Sequence, residues 1–150
     1  MDPFLDIRWL PDADAALKLG SAALLSACIG LERELHDHPA GLRTHMLVGL
    51  AAAVFAVVAI DLASRLEVGT GFGVDPLRAS EAVTAGVAFV AAGAIIRSGG
   101  RVRNVTTGAG LWTAGAVGLA CGAGYLGLAV FTTVLALLIL VAFAWLEKKL

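Results

Sequence analysis

Two short stretches hold most of the residues able to do chemistry. The first runs from Glu32-Arg33-Glu34 to Arg43-Thr44-His45; the second holds Arg97, Arg101, Arg103, Asn104, Thr106 and Thr107. Groups of these types support three kinds of work, and all three stay open on the sequence. Arginines can anchor an element to anionic headgroups. They can read a phosphate or carboxylate, of a free ligand or of a lipid, bidentately. Glu32 and His45 can pass a proton, or Glu32 can line a cation path. Mg2+ wants carboxylates, carbonyls or retained waters in octahedral geometry. Glu32 is the single carboxylate of the cluster, with Glu34 and Asp37 adjoining, against Arg33, Arg43, Arg97, Arg101 and Arg103. That field disfavours a divalent cation, so Mg2+ at Glu32 stays open and no metal site is assigned. The simplest arrangement pairs Glu32 with Arg43 or Arg97, while hydroxyls and Asn104 fill the remaining hydrogen bonds.

Other constellations read as less specific. His36 and His38 flank Asp37 just before Pro39, the pattern of a solvated loop. Asp61, Glu67, Asp75 and Glu81 show no regular cation-ligand spacing. Cys28 and Cys121, each in an apolar stretch, make neither a disulfide framework nor a metal motif. No GxxxxGK[ST] loop and no recognisable Ser/His/Asp or Cys/His arrangement occurs, so no enzymatic activity is expected. The eleven Lys and Arg residues form no continuous patch, which argues against a nucleic-acid partner.

The elements that must position these residues follow from hydropathy. Of 150 residues, 59% are apolar and 15% charged, against about 25% charged in soluble domains. Mean hydropathy is +0.86. A spanning helix needs about 20 apolar residues. Segments at about 15–31, 45–63 and 82–96 qualify or nearly qualify, with the third extending over Glu81. From Val105 to Leu146 no residue is charged. As one helix that run would be about 63 Å long, twice the hydrocarbon thickness, so it must fold back. Gly118, Gly122, Gly124 and Gly127 mark the turn, leaving helices at about 106–120 and 126–146. Ser98-Gly99-Gly100-Arg101 reads as a turn between antiparallel helices.

The expectation is an all-α membrane protein of about five transmembrane helices over residues 15–146. An outer-side tail, 1–14, carries Trp9 in a stretch that can lie along the interface, and a short cytoplasmic tail, 147–150, follows. Placing the first inter-helix turn inside puts Arg33, Arg43, Arg97, Arg101, Arg103, Lys148 and Lys149 there, and Arg8, Lys18, Arg65 and Arg78 outside. Seven against four predicts N-out and C-in. Small residues should let these helices approach closely: Ala23/Ala27, Ala88/Ala92, Ala114/Gly118 and Gly118/Gly122, with Gly86 and Gly93 on the third helix. The same motifs allow a homodimer.

Gly30-Leu31-Glu32-Arg33-Glu34, Ala40-Gly41-Leu42-Arg43-Thr44-His45, Gly86-Val87-Ala88-Phe89-Val90-Ala91-Ala92-Gly93 and Arg97, then Val102-Arg103, Thr106-Thr107 and Leu111-Trp112, together resemble the signature of the MgtC/SapB family of bacterial inner-membrane proteins. The resemblance covers about residues 15–146. It implies a plasma-membrane protein linked to magnesium limitation, acid stress or survival inside host cells. Members have been labelled magnesium transporters and also regulators of other membrane complexes, such as the F-type ATP synthase or transport ATPases. The family usually has glycine where this chain has Ala88, Ala91 and Asn104. Many members carry a soluble C-terminal domain, which the resemblance does not extend to here. The resemblance implies a regulator acting through membrane partners or lipids, with a cation or proton transporter as the alternative.

Overall fold

The chain folds into α1 (Ala13–Leu35), α2 (Leu42–Thr70), α3 (Pro76–Ala94), a β-hairpin of β1 (Ile96–Ser98) and β2 (Arg101–Arg103), α4 (Val105–Gly122) and α5 (Leu126–Glu147). The structure is a computed structural model that describes residues 12–70, 76–98 and 101–147. The expected tails, with Trp9, lie largely outside the described residues, as do Asp75 and Lys148.

The helix limits have local causes. Asp12 caps α1 by accepting from the Ala15 amide at 2.8 Å. At the other end Asp37 takes a left-handed conformation, φ 54°. His38 N–H then donates to Arg33 C=O at 3.1 Å and Asp37 N–H to Glu34 C=O at 3.2 Å, a pairing that closes a helix and reverses the chain. Pro39 follows and cannot continue a helix.

The uncharged run folds back by the same device. Gly124, φ +87°, sits just past α4, and Tyr125 N–H donates to Ala120 C=O at 2.8 Å. Of the four glycines expected to mark this turn, only Gly124 does. Gly118 and Gly122 lie inside α4 and Gly127 inside α5. The expected Ser98–Arg101 turn is also corrected: Ile96↔Arg103, Arg97↔Val102 and Ser98↔Arg101 pair as antiparallel strands. Gly-Gly between two short runs is a hairpin signal, hidden here by the apolar helices on either side. Asn104 ends the hairpin at φ 66°. Asn tolerates that left-handed conformation better than other non-glycine residues. Its side chain does not cap α4; it donates instead to Ala94 C=O at 3.3 Å, tying the hairpin's exit to the end of α3.

α4 packs against α1, α2, α3 and α5, and so forms the centre of the bundle. Its glycines let backbones meet. A Cβ at Gly118 would overlap the carbonyl of Gly49 in α2, and one at Gly122 would lie 2.7 Å from the Ala56 methyl. Ser26 of α1 packs onto the other side of Gly49 in the same way. Gly115 seats the Val87 side chain and Gly108 that of Ile95, which attaches α3. Ala22, Ile29, Ala53, Val117, Cys121 and Ala129 form the fully buried core. Gly86 and Gly93 depart from expectation: among the described residues no atom lies within 4 Å of a Cβ built on either, so neither marks a close helix crossing there.

The outside of the bundle is as apolar as the inside. Leu24, Phe55, Leu138 and Phe89, the last 83% exposed, lie on its surface. Two helical segments, Ala13–Leu35 and Leu42–Arg65, are long and apolar enough to cross a membrane, and Ser80–Ala94 and Leu126–Ala142 are shorter apolar helices.

Candidate functional site

Glycine contacts bring both polar stretches to one end of the bundle. A Cβ at Gly30, near the end of α1, would lie 2.8 Å from Leu42 Cα and 2.9 Å from His45 Cβ, at the start of α2. Gly108, at the start of α4, meets Ala91 and Ile95 at the end of α3, and Gly110 lies against His45 Nε2. The α1–α2 turn and the β-hairpin therefore lie at the same end of the bundle.

At this end one acid and one base are buried together. Glu32 is 8% and Arg33 4% exposed. Among the described side chains Glu32 lies against Arg33 and His36: its Oε2 is 3.5 Å from Arg33 Nη1 and its Oε1 3.2 Å from His36 Nδ1. Arg43 is exposed, and the side chain of Arg97 lies outside what is described. The reason is local. Residues at i and i+4 share a helix face, which brings His36 to Glu32. His36 also donates to the Glu32 backbone carbonyl at 2.8 Å. A solvated-loop reading misses this, although the i,i+4 spacing of Glu32 and His36 is visible in the sequence.

His45 is fully buried between α1, α2 and α4. Its Nδ1 lies 2.9 Å from Gly41 C=O, which makes Nδ1 the donor and leaves Nε2 a lone pair. Among the described residues, His45 Nε2, Glu32 Oε2, Arg33 Nε and Ser26 Oγ are buried with no hydrogen-bond partner. Such atoms cost about 1–3 kcal/mol each when left unsatisfied, more when charged. Ser26 was not singled out by the sequence; its only signal is its place four residues before Gly30.

The turn itself is occupied. Glu34 Oε2 accepts from the Leu42 amide at 2.9 Å, placing a carboxylate on the positive end of α2. Beside it lies an open depression of about 500 Å³ lined by Glu34, Asp37, His38, Pro39, Gly41, Arg43 and Thr44. Two acids in that wall oppose an anionic ligand at Arg43 and Thr44. Partial burial, and then the charge of Arg33, hold the His38 imidazole below its ordinary value. In the second stretch Arg103 and Thr106 are exposed, and Thr107 is buried. Among the described residues, no group of three His, Cys, Asp or Glu could hold a metal ion. On the far side Asp61 binds Arg65 Nε at 2.7 Å.

The sequence pattern of the MgtC family matches residues 19–149. The chain belongs to the MgtC family. It is 38% identical over 145 residues to Protein SapB of Bacillus subtilis, covering 95% of this chain and 62% of SapB. It is 34% identical over 142 residues to YhiD of Escherichia coli K12, covering 92% of this chain and 64% of YhiD. Protein MgtC of Brucella abortus is 40% identical over 126 residues, which is 84% of this chain and 50% of that relative. This MgtC-family chain thus spans about half to two thirds of the length of the curated relatives it matches. No solved structure matches it.

Proposed function

We propose that this chain is a multi-pass protein of the bacterial inner membrane, N-out and C-in, and a regulator in magnesium and cation homeostasis. It acts through membrane partners or lipids at its cytoplasmic end, and bears on stress and virulence through them. The name of YhiD includes magnesium transporter, which supports the link to magnesium. The observation that carries a regulator over a conductor is the state of Glu32. The one carboxylate buried at this end is held by Arg33 and His36. A guanidinium against a carboxylate competes with a divalent cation for the same oxygens and repels it. A membrane ATPase such as the ATP synthase is a suitable partner. Gly86 and Gly93 leave room on α3 for a second copy, and a homodimer belongs to this reading.

The second reading, a Mg2+ or proton path beside Glu32, is favoured by that same name and by the unpartnered Glu32 Oε2 and His45 Nε2. Purified chain in sealed vesicles loaded with a Mg2+ indicator or a pH indicator separates the two. The regulator reading expects no flux above protein-free vesicles. Flux that Glu32→Gln abolishes would establish the transporter instead.

A further inference from the structure

The β-hairpin is the one element whose existence the helices do not require. A direct helix–turn–helix would connect α3 to α4; the chain instead pairs two three-residue strands. Isolated two-stranded hairpins are marginal in water, so this one needs a surface to lie on. Its composition says which. Arginine fills three of the six strand positions, 97, 101 and 103. No Asp or Glu occurs between Glu81 and Glu147, so the flanking helices bring no countercharge. In the neighbouring turn Glu32 lies against Arg33 and His36, and Glu34 accepts from the Leu42 amide, which leaves Asp37 as the exposed acid there, in the depression beside Arg43. Beside exposed Arg103 stand exposed Val102, 57%, and Val105, 55%. Cations interleaved with exposed apolar side chains at the end of two apolar helices match a lipid interface, with its phosphates and its acyl-chain boundary.

We infer that the β1–β2 hairpin is a docking surface for anionic phospholipid headgroups of the leaflet it enters, its arginines holding the lipid phosphates. This names the lipid class for the contact proposed above: it rests on that reading for the presence of lipid at this end and not for the regulatory role. Headgroup charge adds about 1 kcal/mol per basic residue near a surface, which is about fivefold in binding.

The test is lipid retention by the whole chain. The protein is purified from mixed micelles holding equal phosphatidylglycerol and phosphatidylcholine, and bound lipid is counted by native mass spectrometry. The wild type should retain phosphatidylglycerol in preference. Replacing Arg97, Arg101 and Arg103 together by Gln should remove the preference by more than tenfold. Replacing the same three by Lys should keep most of it, which separates charge from folding. Arg65→Gln with Arg78→Gln, at the far end, should leave it unchanged. A Gln triple variant that still selects phosphatidylglycerol would overturn the inference, as would equal loss in the Gln and Lys variants. Because micelles have no sidedness, this result is independent of the proposed orientation, which labelling of Ser98→Cys in intact cells tests separately.

Discussion

The carbonyl of Gly49 in α2 lies where a side chain on Gly118 of α4 would have to go, so the two helices cross backbone to backbone. Gly118→Ala should therefore destabilise the bundle, by about 1–3 kcal/mol or more, because neither backbone can withdraw without moving its helix. Gly93→Ala, which meets nothing among the described residues of the chain, should be neutral or stabilising by about 0.5–1 kcal/mol in the monomer through helix propensity. Thermal unfolding of the purified variants in detergent measures both. Equal melting of the two would refute the crossing.

Removing Glu32 should be worse than removing Arg43. Glu32→Ala leaves the Arg33 guanidinium buried and uncompensated, a loss of about 3–5 kcal/mol. Arg43→Ala takes away an exposed side chain and should change stability by less than about 0.5 kcal/mol. Folded yield after membrane extraction distinguishes these outcomes. A complementation assay on the stable Arg43→Ala variant then reads function free of folding.

Glu34 holds the start of α2 through a single hydrogen bond to the Leu42 amide. Glu34→Ala should cost about 0.5–2 kcal/mol, as the loss of a helix cap does. Hydrogen exchange at the Leu42 amide should speed up while exchange in the middle of α4 stays slow. Protection of Leu42 unchanged in the variant would show that the carboxylate does not cap the helix.

His38 should titrate below the ordinary 6.5. Arg33→Gln should move it upward, since the Arg33 charge is, after burial, the next cause of the lowering. The sign for stability follows. A lowered pKa in the folded protein favours the neutral ring, so its contribution is intact above the unfolded value and is lost as pH falls through the folded one. Imidazole resonances followed by NMR against pH, in wild type and variant, give the comparison. An unshifted or downward-moving resonance in Arg33→Gln contradicts it.

How much of this was legible beforehand depended on the range of the interaction. Runs of apolar residues and the spacing of Lys and Arg are local features, so five helices and their approximate limits could be read along the chain. So could the need for a fold-back between Val105 and Leu146, because length alone forbids one straight helix there. The family signature was likewise carried by contiguous residues such as Arg43-Thr44-His45. What the chain alone left undecided were choices among equivalent residues. Several glycines and alanines could have packed helices; three-dimensional crossing selected Gly30, Gly49, Gly118 and Gly122 and left Gly86 and Gly93 facing open space. Several groups could have met Glu32; among the described side chains Arg33 and His36 lie against it while Arg43 is exposed, and the fold of α2 buried His45. The hairpin is the intermediate case, since its Gly-Gly signal is local while its pairing is not. Backbone preference and hydropathy act between near neighbours in sequence, whereas close packing depends on which surfaces meet, and only the assembled bundle supplies that.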